Sequence, residues 1–294
     1  MKNNIFVSTN AFGNKRLKDI LNECKDHSIS NIELSRINGH KQEVEDLITR
    51  SSQYSNFNFQ VHNYCPPPKV PFVLNLASKD TEVLNMSRDH CLRAIDLIHA
   101  FQAPFFGFHC GFCFDAQPHD LGSRLTHLPR YSLIEGEEIF IESLRILSDY
   151  AKRKGVLLAI ENNVLSHINL IEGRNELLLG VRAEEIIRYI NNTGRNNIHA
   201  LLDVAHLKVS AESLGFDPHE FIMSLASHIT GVHFSDNDGK TDSNDPVTEK
   251  SWFWKPLKGI IKENTTLILE VKNLKPVQII DQSNLINSKL FPIT

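Results

Sequence analysis

Short runs of β-branched and aromatic residues alternate along the chain with longer segments whose apolar residues recur at helical spacing. The short runs predict eight β-strands, which are Asn4–Ser8, Asn31–Ser35, Asn58–His62, Phe105–His109, Val156–Glu161, His199–Asp203, Thr230–Phe234 and Thr266–Val271. The longer segments predict helices, most clearly at Lys15–His27, Gln42–Tyr54, Lys79–Phe101, Glu135–Lys154 and Ala183–Asn192. Because strands separated by helices pair in parallel through right-handed crossovers, the pattern predicts an α/β fold.

Eight such units in 294 residues favour one closed (β/α)8 barrel, a TIM barrel, that occupies residues 1–294 as a single domain. An open doubly wound sheet is the competing architecture, but no Gly-x-Gly-x-x-Gly motif follows the first strand. The connections after four predicted strands are long, at 63–78, 110–134, 162–180 and 235–254. In a barrel these loops would share the C-terminal face, where ligand-binding groups gather.

The composition is that of an average globular protein, with 41% hydrophobic residues, 22% charged residues and a formal net charge of −4. No apolar run approaches the ~20 residues that a membrane helix needs, and the acidic total gives no global attraction to nucleic acid. Five cysteines, an odd number, and an N-terminus without an apolar stretch are typical of a cytoplasmic protein with reduced thiols. We therefore expect neither a membrane nor a nucleic-acid partner. The sequence leaves open whether the protein forms a homo-oligomer.

Six consecutive predicted strands, the third to the eighth, end on or beside a residue that binds metals or moves protons. They are His62, His109, Glu161, Asp203, His233 and Glu270. A single strand-end histidine or carboxylate is usually structural, but a closed barrel brings all these ends into one mouth. Converging carboxylates without a cation would repel one another and take up protons. The set therefore predicts a divalent metal site.

Four of these residues supply oxygens and one imidazole, a mixed ligand set suited to Mn²⁺, Mg²⁺, Co²⁺ or Zn²⁺. They are Glu161, Asp203, His233 and Glu270. His62 and His109 are candidates for a second, more zinc-like position that shares Glu161, or for the substrate pocket. His206 follows Asp203 by three residues, so we expect it to begin the next loop and to point back over the site toward substrate.

Four motifs resemble a known family: Ile160-Glu161-Asn162, Asp203-Val204-Ala205-His206, Val232-His233-Phe234-Ser235-Asp236 and Ile268-Leu269-Glu270. With them, nearly the whole chain resembles the xylose isomerase-like barrel superfamily, which includes sugar phosphate isomerases and epimerases, ketose 3-epimerases, inosose dehydratases and endonuclease IV. The resemblance implies that the four mixed ligands are the shared metal site and that His206 is the substrate-contacting histidine of the epimerases. His62 and His109 are similar to two histidines that complete the multinuclear zinc site of endonuclease IV.

The chain departs from these relatives after the seventh strand. Endonuclease IV-like chains carry an Asp-x-His pair shortly after the strand-seven histidine, whereas residues 236–245 of this chain contain no histidine. Epimerases of the superfamily often place an arginine there, and Lys240 is the nearest cation in this sequence, so it is a candidate substrate-binding residue. The missing pair and the acidic net charge favour a carbohydrate substrate over DNA.

The leading expectation is therefore a metal-dependent isomerase or epimerase of a small sugar, sugar phosphate or related hydroxy-carbonyl compound. Glu161 and Glu270 would act as base and acid on an enediolate that the cation stabilises. Three alternatives stay open: a zinc-dependent phosphoester hydrolase such as an abasic-site endonuclease, a dehydratase that uses the same enolate, and a binding barrel without turnover.

Three further features have weaker signals. Cys110 and Cys113 form a single Cys-x-x-Cys motif, for which a structural role is favoured over zinc binding or redox chemistry. Trp252 and Trp254 are candidates for an aromatic wall against a sugar ring, with ordinary packing as the alternative. Glu33, near the end of the second strand, is a candidate supporting partner for the site.

Overall fold

Eight parallel strands form a closed barrel in which each strand pairs with its neighbours in sequence and the last pairs with the first. The structure, a computed structural model, describes residues 5–35, 41–49 and 53–292. The strands are β1 Ile5–Ser8, β2 Asn31–Leu34, β3 Asn58–His62, β4 Phe106–His109, β5 Leu158–Glu161, β6 Ile198–Asp203, β7 Ile229–Phe234 and β8 Thr266–Leu269. The predicted (β/α)8 barrel is thereby confirmed. Asn4, the predicted first residue of β1, lies outside the described residues.

Nine α-helices occur in the described part of the chain. They are α1 Leu17–Asp26, α2 Lys41–Thr49, α3 Thr81–Phe101, α4 Leu133–Lys154, α5 Ala183–Thr193, α6 Val204–Leu214, α7 Pro218–Leu225, α8 Trp254–Lys258 and α9 Pro276–Leu290. The five predicted helices correspond to α1 to α5, but part of the predicted end of α2, at 50–52, lies outside the described residues. Ser132 begins α4 with a capping box to Glu135, and Gly155 ends it in a left-handed conformation.

A small apolar cluster fills the inside of the barrel beneath the C-terminal mouth. Its members are Phe6, Phe105, Ala159, Leu201 and Ile268. Gly231 on β7 makes room for the Phe105 ring, because a Cβ atom at Gly231 would lie 2.5 Å from Phe105 Cζ. Successive side chains along a strand point to opposite faces of the sheet. A residue two positions after a member of this cluster therefore also points into the barrel, one layer nearer the mouth. Three such residues are Glu161, Asp203 and Glu270.

The long connections after β3, β4 and β5 contain an apolar cluster of their own, apart from the main core. Its buried members are Val73, Phe114, Ala116, Leu125, Leu165, Leu177, Leu178 and Val181. Burial of this kind orders long loops, which otherwise carry few stabilising contacts. These connections therefore form a packed wall on one side of the barrel mouth. Among the helices described, none is both long enough and apolar enough to cross a membrane.

Candidate metal centre

The barrel mouth brings together the four predicted mixed ligands. Each of them offers one ligand atom, and these atoms all lie within 4.8 Å of one another. Glu161, Asp203 and His233 are fully buried, and Glu270 is 7% exposed. The side chains come from four neighbouring strands, and none of them is close to the others in sequence. Barrel closure therefore assembles this group, as we expected from the strand ends.

His233 lies at the middle of the group. Its Nδ1 atom is 2.8 Å from Glu161 Oε1 and 2.8 Å from Glu270 Oε2. Its other nitrogen, Nε2, lies 3.1 Å from Glu33 Oε2, and Glu33 is fully buried on β2. Because carboxylates only accept hydrogen bonds, both ring nitrogens carry a proton without a metal; burial opposes this charge, but the three carboxylates hold the pKa of His233 well above its ordinary value. A cation would take the place of the proton on Nδ1 while Nε2–H still donates to Glu33, the arrangement typical of a metal-binding histidine.

Asp203 is held at one oxygen and unpartnered at the other. Its Oδ1 accepts the backbone N–H groups of Ala205 and His206, each at 2.7 Å, and thus caps α6. Its Oδ2 is buried and has no hydrogen-bond partner in the part of the chain that the structure describes. Burial, together with the carboxylates of Glu161 and Glu270, raises the pKa of Asp203 to about 7. A buried carboxylate oxygen without a partner is the kind of atom that a cation stabilises.

Glu161 is the oxygen donor shared by both sides of the mouth. Burial opposes its charge, but His109, His62 and His233 outweigh burial and hold the pKa of Glu161 well below its ordinary value. Three carboxylates and an imidazole in a dry site fit a divalent ion with mixed oxygen and nitrogen ligands. We call Glu33, Glu161, Asp203, His233 and Glu270 the inner cluster.

A second group of potential ligands lies beside the first. His62 Nε2 is 2.7 Å from Glu161 Oε2, and His109 Nδ1 is 3.2 Å from the same oxygen. Burial lowers the pKa of His109 to about 4 in spite of the nearby carboxylate, so the ring is neutral and keeps a lone pair. His62, His109 and Glu161 each offer one ligand atom, and these atoms also lie within 4.8 Å of one another.

His206 is placed differently from our expectation. It lies in the first turn of α6, not at the start of a loop, because the Asp203 side chain caps a helix that begins at Val204. Its Nδ1 donates to the backbone oxygen of Asn162 at 3.0 Å. Its Nε2 faces Asp242 Oδ2 at 3.4 Å, across the mouth from α6. Burial opposes its charge, but Asp203 and Asp242 hold the pKa of His206 well above its ordinary value.

Sequence reasoning missed three residues that support the site. Asn10, in the short helix after β1, donates from Nδ2 to Glu270 Oε1 at 3.0 Å. Asn162 brackets the backbone of Asp203, since its Nδ2 donates to the Asp203 carbonyl and its Oδ1 accepts the Asp203 N–H. Asp242 reaches the mouth from the loop after β7. All three follow the C-terminal end of a strand, and Asn162 also belongs to the Ile160-Glu161-Asn162 motif, but neither signal indicates what the side chain contacts.

Other candidates lie outside these groups. Lys240 is exposed in the loop after β7, and its backbone N–H donates to Asp238 Oδ1 at 2.8 Å. Trp254 is 9% exposed and stacks on Phe234 with ring centroids 6.1 Å apart, and Trp252 stacks on His219. Packing and the hydrogen bond from Trp254 Nε1 to the Thr248 carbonyl account for Trp254, whereas Trp252 Nε1 is buried without a hydrogen-bond partner among the described residues.

The Cys-x-x-Cys motif is buried away from solvent. Cys110 and Cys113 are both free thiols, and Cys110 is 1% exposed. Burial raises the pKa of Cys113 to about 12, which suppresses the thiolate that zinc binding or redox chemistry requires. These observations agree with a structural role.

Comparisons with known proteins give the same architecture. None of the curated proteins matches the chain in sequence. A D-tagatose 3-epimerase-like protein is similar in structure, with a TM-score of 0.71 and 18% identity over 97% of this chain and 96% of that chain. A Thermus thermophilus protein soaked with ZnCl2 has a TM-score of 0.66 and 19% identity, covering 97% of this chain and 98% of that chain. The apo 3-keto-D-glucoside 4-epimerase of E. coli has a TM-score of 0.67 and 12% identity over 97% and 98% of the two chains.

At these identities the structural likeness establishes the fold alone, and the sequence family comes from a separate comparison. The profile of the family described as the xylose isomerase-like TIM barrel matches residues 21–285, which extend from α1 into α9. That range contains every residue of the inner cluster as well as His206 and Asp242. The chain therefore belongs to the xylose isomerase-like TIM barrel family.

Proposed function

We propose that this protein is a metal-dependent isomerase or epimerase that acts on a small carbohydrate or a related hydroxy-carbonyl compound. The observation that carries the proposal is the placement of two glutamates from different strand ends against one atom. Glu161 Oε1 and Glu270 Oε2 each lie 2.8 Å from His233 Nδ1, so the two carboxylates border one small region from different sides. A 3-keto-D-glucoside 4-epimerase and a D-tagatose 3-epimerase-like protein among the similar structures support this choice of substrate class.

The residues that would hold a cation are Glu161, Asp203, His233 and Glu270. When bound, a divalent cation supplies Lewis-acid stabilisation of negative charge on the substrate oxygens, whether the ion is Mn²⁺, Zn²⁺, Mg²⁺ or Co²⁺. His62 and His109 would complete a second position with Glu161 or line the pocket.

The proton chemistry falls to the two glutamates. One carboxylate removes the proton from the carbon between the carbonyl and the neighbouring hydroxyl, which gives an enediolate. Return of a proton from the other glutamate to the opposite face of that carbon gives the epimer, and return to the neighbouring carbon gives the isomer. Burial opposes the charge of both glutamates, but nearby histidines hold the pKa of Glu161 and of Glu270 below its ordinary value, so both are ionised and either can be the base, while the other takes up a proton from solvent before it returns one.

His206 would bind a substrate oxygen. Its Nδ1–H is used by the backbone oxygen of Asn162, and its Nε2 lies 3.4 Å from Asp242 Oδ2, a distance too long for a strong hydrogen bond. We assign this role to His206 and give none to Lys240, because the Lys240 side chain is exposed on the loop after β7.

Turnover in deuterated water tests the proton transfer. A proton on a carboxylate at the barrel mouth can exchange with solvent before it returns, so the product should carry solvent deuterium on the carbon that is reprotonated: the original carbon in an epimer and the former carbonyl carbon in an isomer. Replacement of Glu161 or Glu270 by Gln keeps the shape and removes the base, and we expect a rate loss of about 10²–10⁴-fold. Metal content is measured in parallel, because both residues are also proposed ligands. Product without solvent deuterium from a metal-replete enzyme would eliminate this mechanism.

A second candidate is a zinc-dependent phosphoester hydrolase, which the neighbouring group of His62, His109 and Glu161 favours. The missing Asp-x-His pair and the net charge of −4 argue against DNA as its substrate. We therefore expect no incision of abasic-site DNA by the zinc-loaded protein. Efficient incision that Glu161→Gln abolishes would reverse this ranking.

A further inference from the structure

Asp242 presents an unused hydrogen-bond acceptor at the barrel mouth. The residue belongs to the loop after β7, and its Oδ2 lies 3.4 Å from His206 Nε2. Its side chain is 27% exposed, yet Oδ1 is buried and accepts no hydrogen bond from any described residue. We call His206 and Asp242 the outer pair. A buried acceptor without a donor, beside the histidine proposed to hold substrate, indicates that a ligand group supplies the donor.

The hydrogen-bonding roles within the outer pair follow from the surrounding atoms. His206 Nδ1 donates to the Asn162 carbonyl, which can only accept. His206 Nε2 faces the carboxylates of Asp242 at 3.4 Å and of Asp203 at 3.8 Å, and these also only accept. Nε2 is therefore a donor. Both distances are longer than an ordinary hydrogen bond, so this donor stays open to a ligand and lies beside the unused acceptor of Asp242.

A hydroxyl group matches that arrangement, because it can accept from His206 and donate to Asp242 at the same time. A phosphate dianion matches it poorly, because it has no proton to donate and would bring like charge against the Asp242 carboxylate. Two ammonium groups contact this loop: Lys208 Nζ lies 2.7 Å from Asp236 Oδ1, and Lys272 Nζ lies 3.4 Å from the backbone oxygen of Asp242. Lys272 is exposed and this bond uses the backbone, so the Asp242 carboxylate still faces the mouth.

We infer that Asp242 is a specificity-determining residue, which together with His206 binds an uncharged hydroxyl of the substrate and disfavours a phosphate at that position. The substrate is then a free polyhydroxy aldehyde or ketone and not a sugar phosphate. This inference rests on the proposed function for the identity of the reacting group, but the preference for a hydroxyl is a property of the outer pair itself.

Calorimetric binding to the Mn²⁺-loaded protein tests the inference with matched probes. The probes are D-fructose and its 6-phosphate, D-ribulose and its 5-phosphate, and inorganic phosphate. We expect a free sugar to bind about tenfold more tightly than its phosphate ester, because like charges placed together in a site are costly. Asp242→Asn should remove most of this preference and tighten the binding of inorganic phosphate. Asp242→Ser, which also removes the charge, provides a second variant if the first fails to fold.

Asp238→Asn is the matched control, because Asp238 is an exposed acid of the same loop that caps the N–H groups of Lys240 and Thr241. It removes the same charge and should leave the preference unchanged. Lys272→Met should leave free-sugar binding unchanged. If the unmodified protein prefers the phosphate ester and Lys272→Met loses affinity for that ester, Lys272 binds the phosphate and the inference is overturned.

Two further outcomes would also overturn the inference: tighter binding of the phosphate esters by the unmodified protein, and phosphate affinity that stays the same in both Asp242 variants. The deuterium experiment separates this failure from failure of the proposed function. Exchange into a sugar phosphate would leave the enediolate chemistry standing and refute the role of Asp242. A preference for free sugars without any deuterium exchange would support the role of Asp242 and refute the enediolate chemistry.

Discussion

The inner cluster and the outer pair use the same residue types in two different settings. Inner residues lie at strand ends, and Glu33, Glu161, Asp203 and His233 are fully buried. The outer pair joins the first turn of α6 to a loop, and the Asp242 side chain is 27% exposed. Strand residues are fixed by the barrel, whereas loop residues can change without disturbing it. Under the proposed function, the barrel would hold the metal and the loops would select the substrate.

Removal of the Asp203 charge should have the largest effect on metal binding. Asp203→Asn retains an oxygen that accepts the N–H groups of Ala205 and His206, so the cap of α6 survives while the metal is lost. Asp203→Ala should lose the metal as well and destabilise the protein by a further ~0.5–2 kcal/mol, which is the usual cost of a lost N-cap. Metal analysis and chemical denaturation of the chelated proteins measure the two effects separately. Full metal content in Asp203→Asn would contradict the assignment of Asp203 as a ligand.

Replacement of Glu33 should lower metal affinity less than replacement of Asp203 does. Glu33→Leu removes the acceptor for His233 Nε2–H and should weaken metal affinity about 10–100-fold, as for other residues that orient a metal-binding histidine. Glu33→Gln keeps an oxygen acceptor and should lose less. Competition with a chromogenic chelator gives both dissociation constants. Equal affinities for the two variants would show that Glu33 does not orient His233.

Substitution in the outer pair should spare the metal. We expect His206→Asn to bind metal as the unmodified protein does, while KM rises about tenfold or more, since a hydrogen bond from a charged group contributes ~1.5–3 kcal/mol. Metal titration and steady-state kinetics on the same preparation make the comparison with Glu33→Leu. If His206→Asn lost metal as readily as Glu33→Leu, the division between the two regions would be wrong.

A histidine outside both regions provides the smallest expected effect. Burial lowers the pKa of His90, whose Nε2 donates to the Asn63 carbonyl at 2.8 Å. The unfolded chain therefore binds more protons than the folded one in mildly acidic solution. The contribution of neutral His90 to the free energy of unfolding is therefore fully present above about pH 6.5. It is lost as the pH falls through the pKa of His90 in the folded protein, by up to ~1.4 kcal/mol per pH unit. Denaturation of metal-free protein and of His90→Gln at several pH values measures the difference, because titration of the inner cluster is common to both. Parallel curves for the two proteins would contradict it.

The sequence predicts the barrel and the four mixed ligands for the same reason. Each strand is a short β-rich run, and its last inward residue must enter the mouth once the barrel closes, as Glu161 and Asp203 do. Asp242 could not be predicted, because its position depends on the conformation of the loop after β7. The helix α6 gave no clear signal, since residues on most of its faces are buried and an amphipathic period is lacking. His206 was consequently expected in a loop.

The contact between Glu33 and His233 joins residues that are 200 positions apart, and Asn10 meets Glu270 across 260 positions. Contacts this distant in sequence form late in folding, because the chain must close its largest loops before they contribute. A half-barrel that ends at β4 lacks all four mixed ligands, including Glu161, which borders both proposed cation positions. A metal ion would therefore bind only to chains in which β5 to β8 have assembled, and it would bind more tightly once β8 has joined β1 and brought Asn10 and Glu33 against Glu270 and His233. The rise in metal affinity during refolding would then report closure of the barrel.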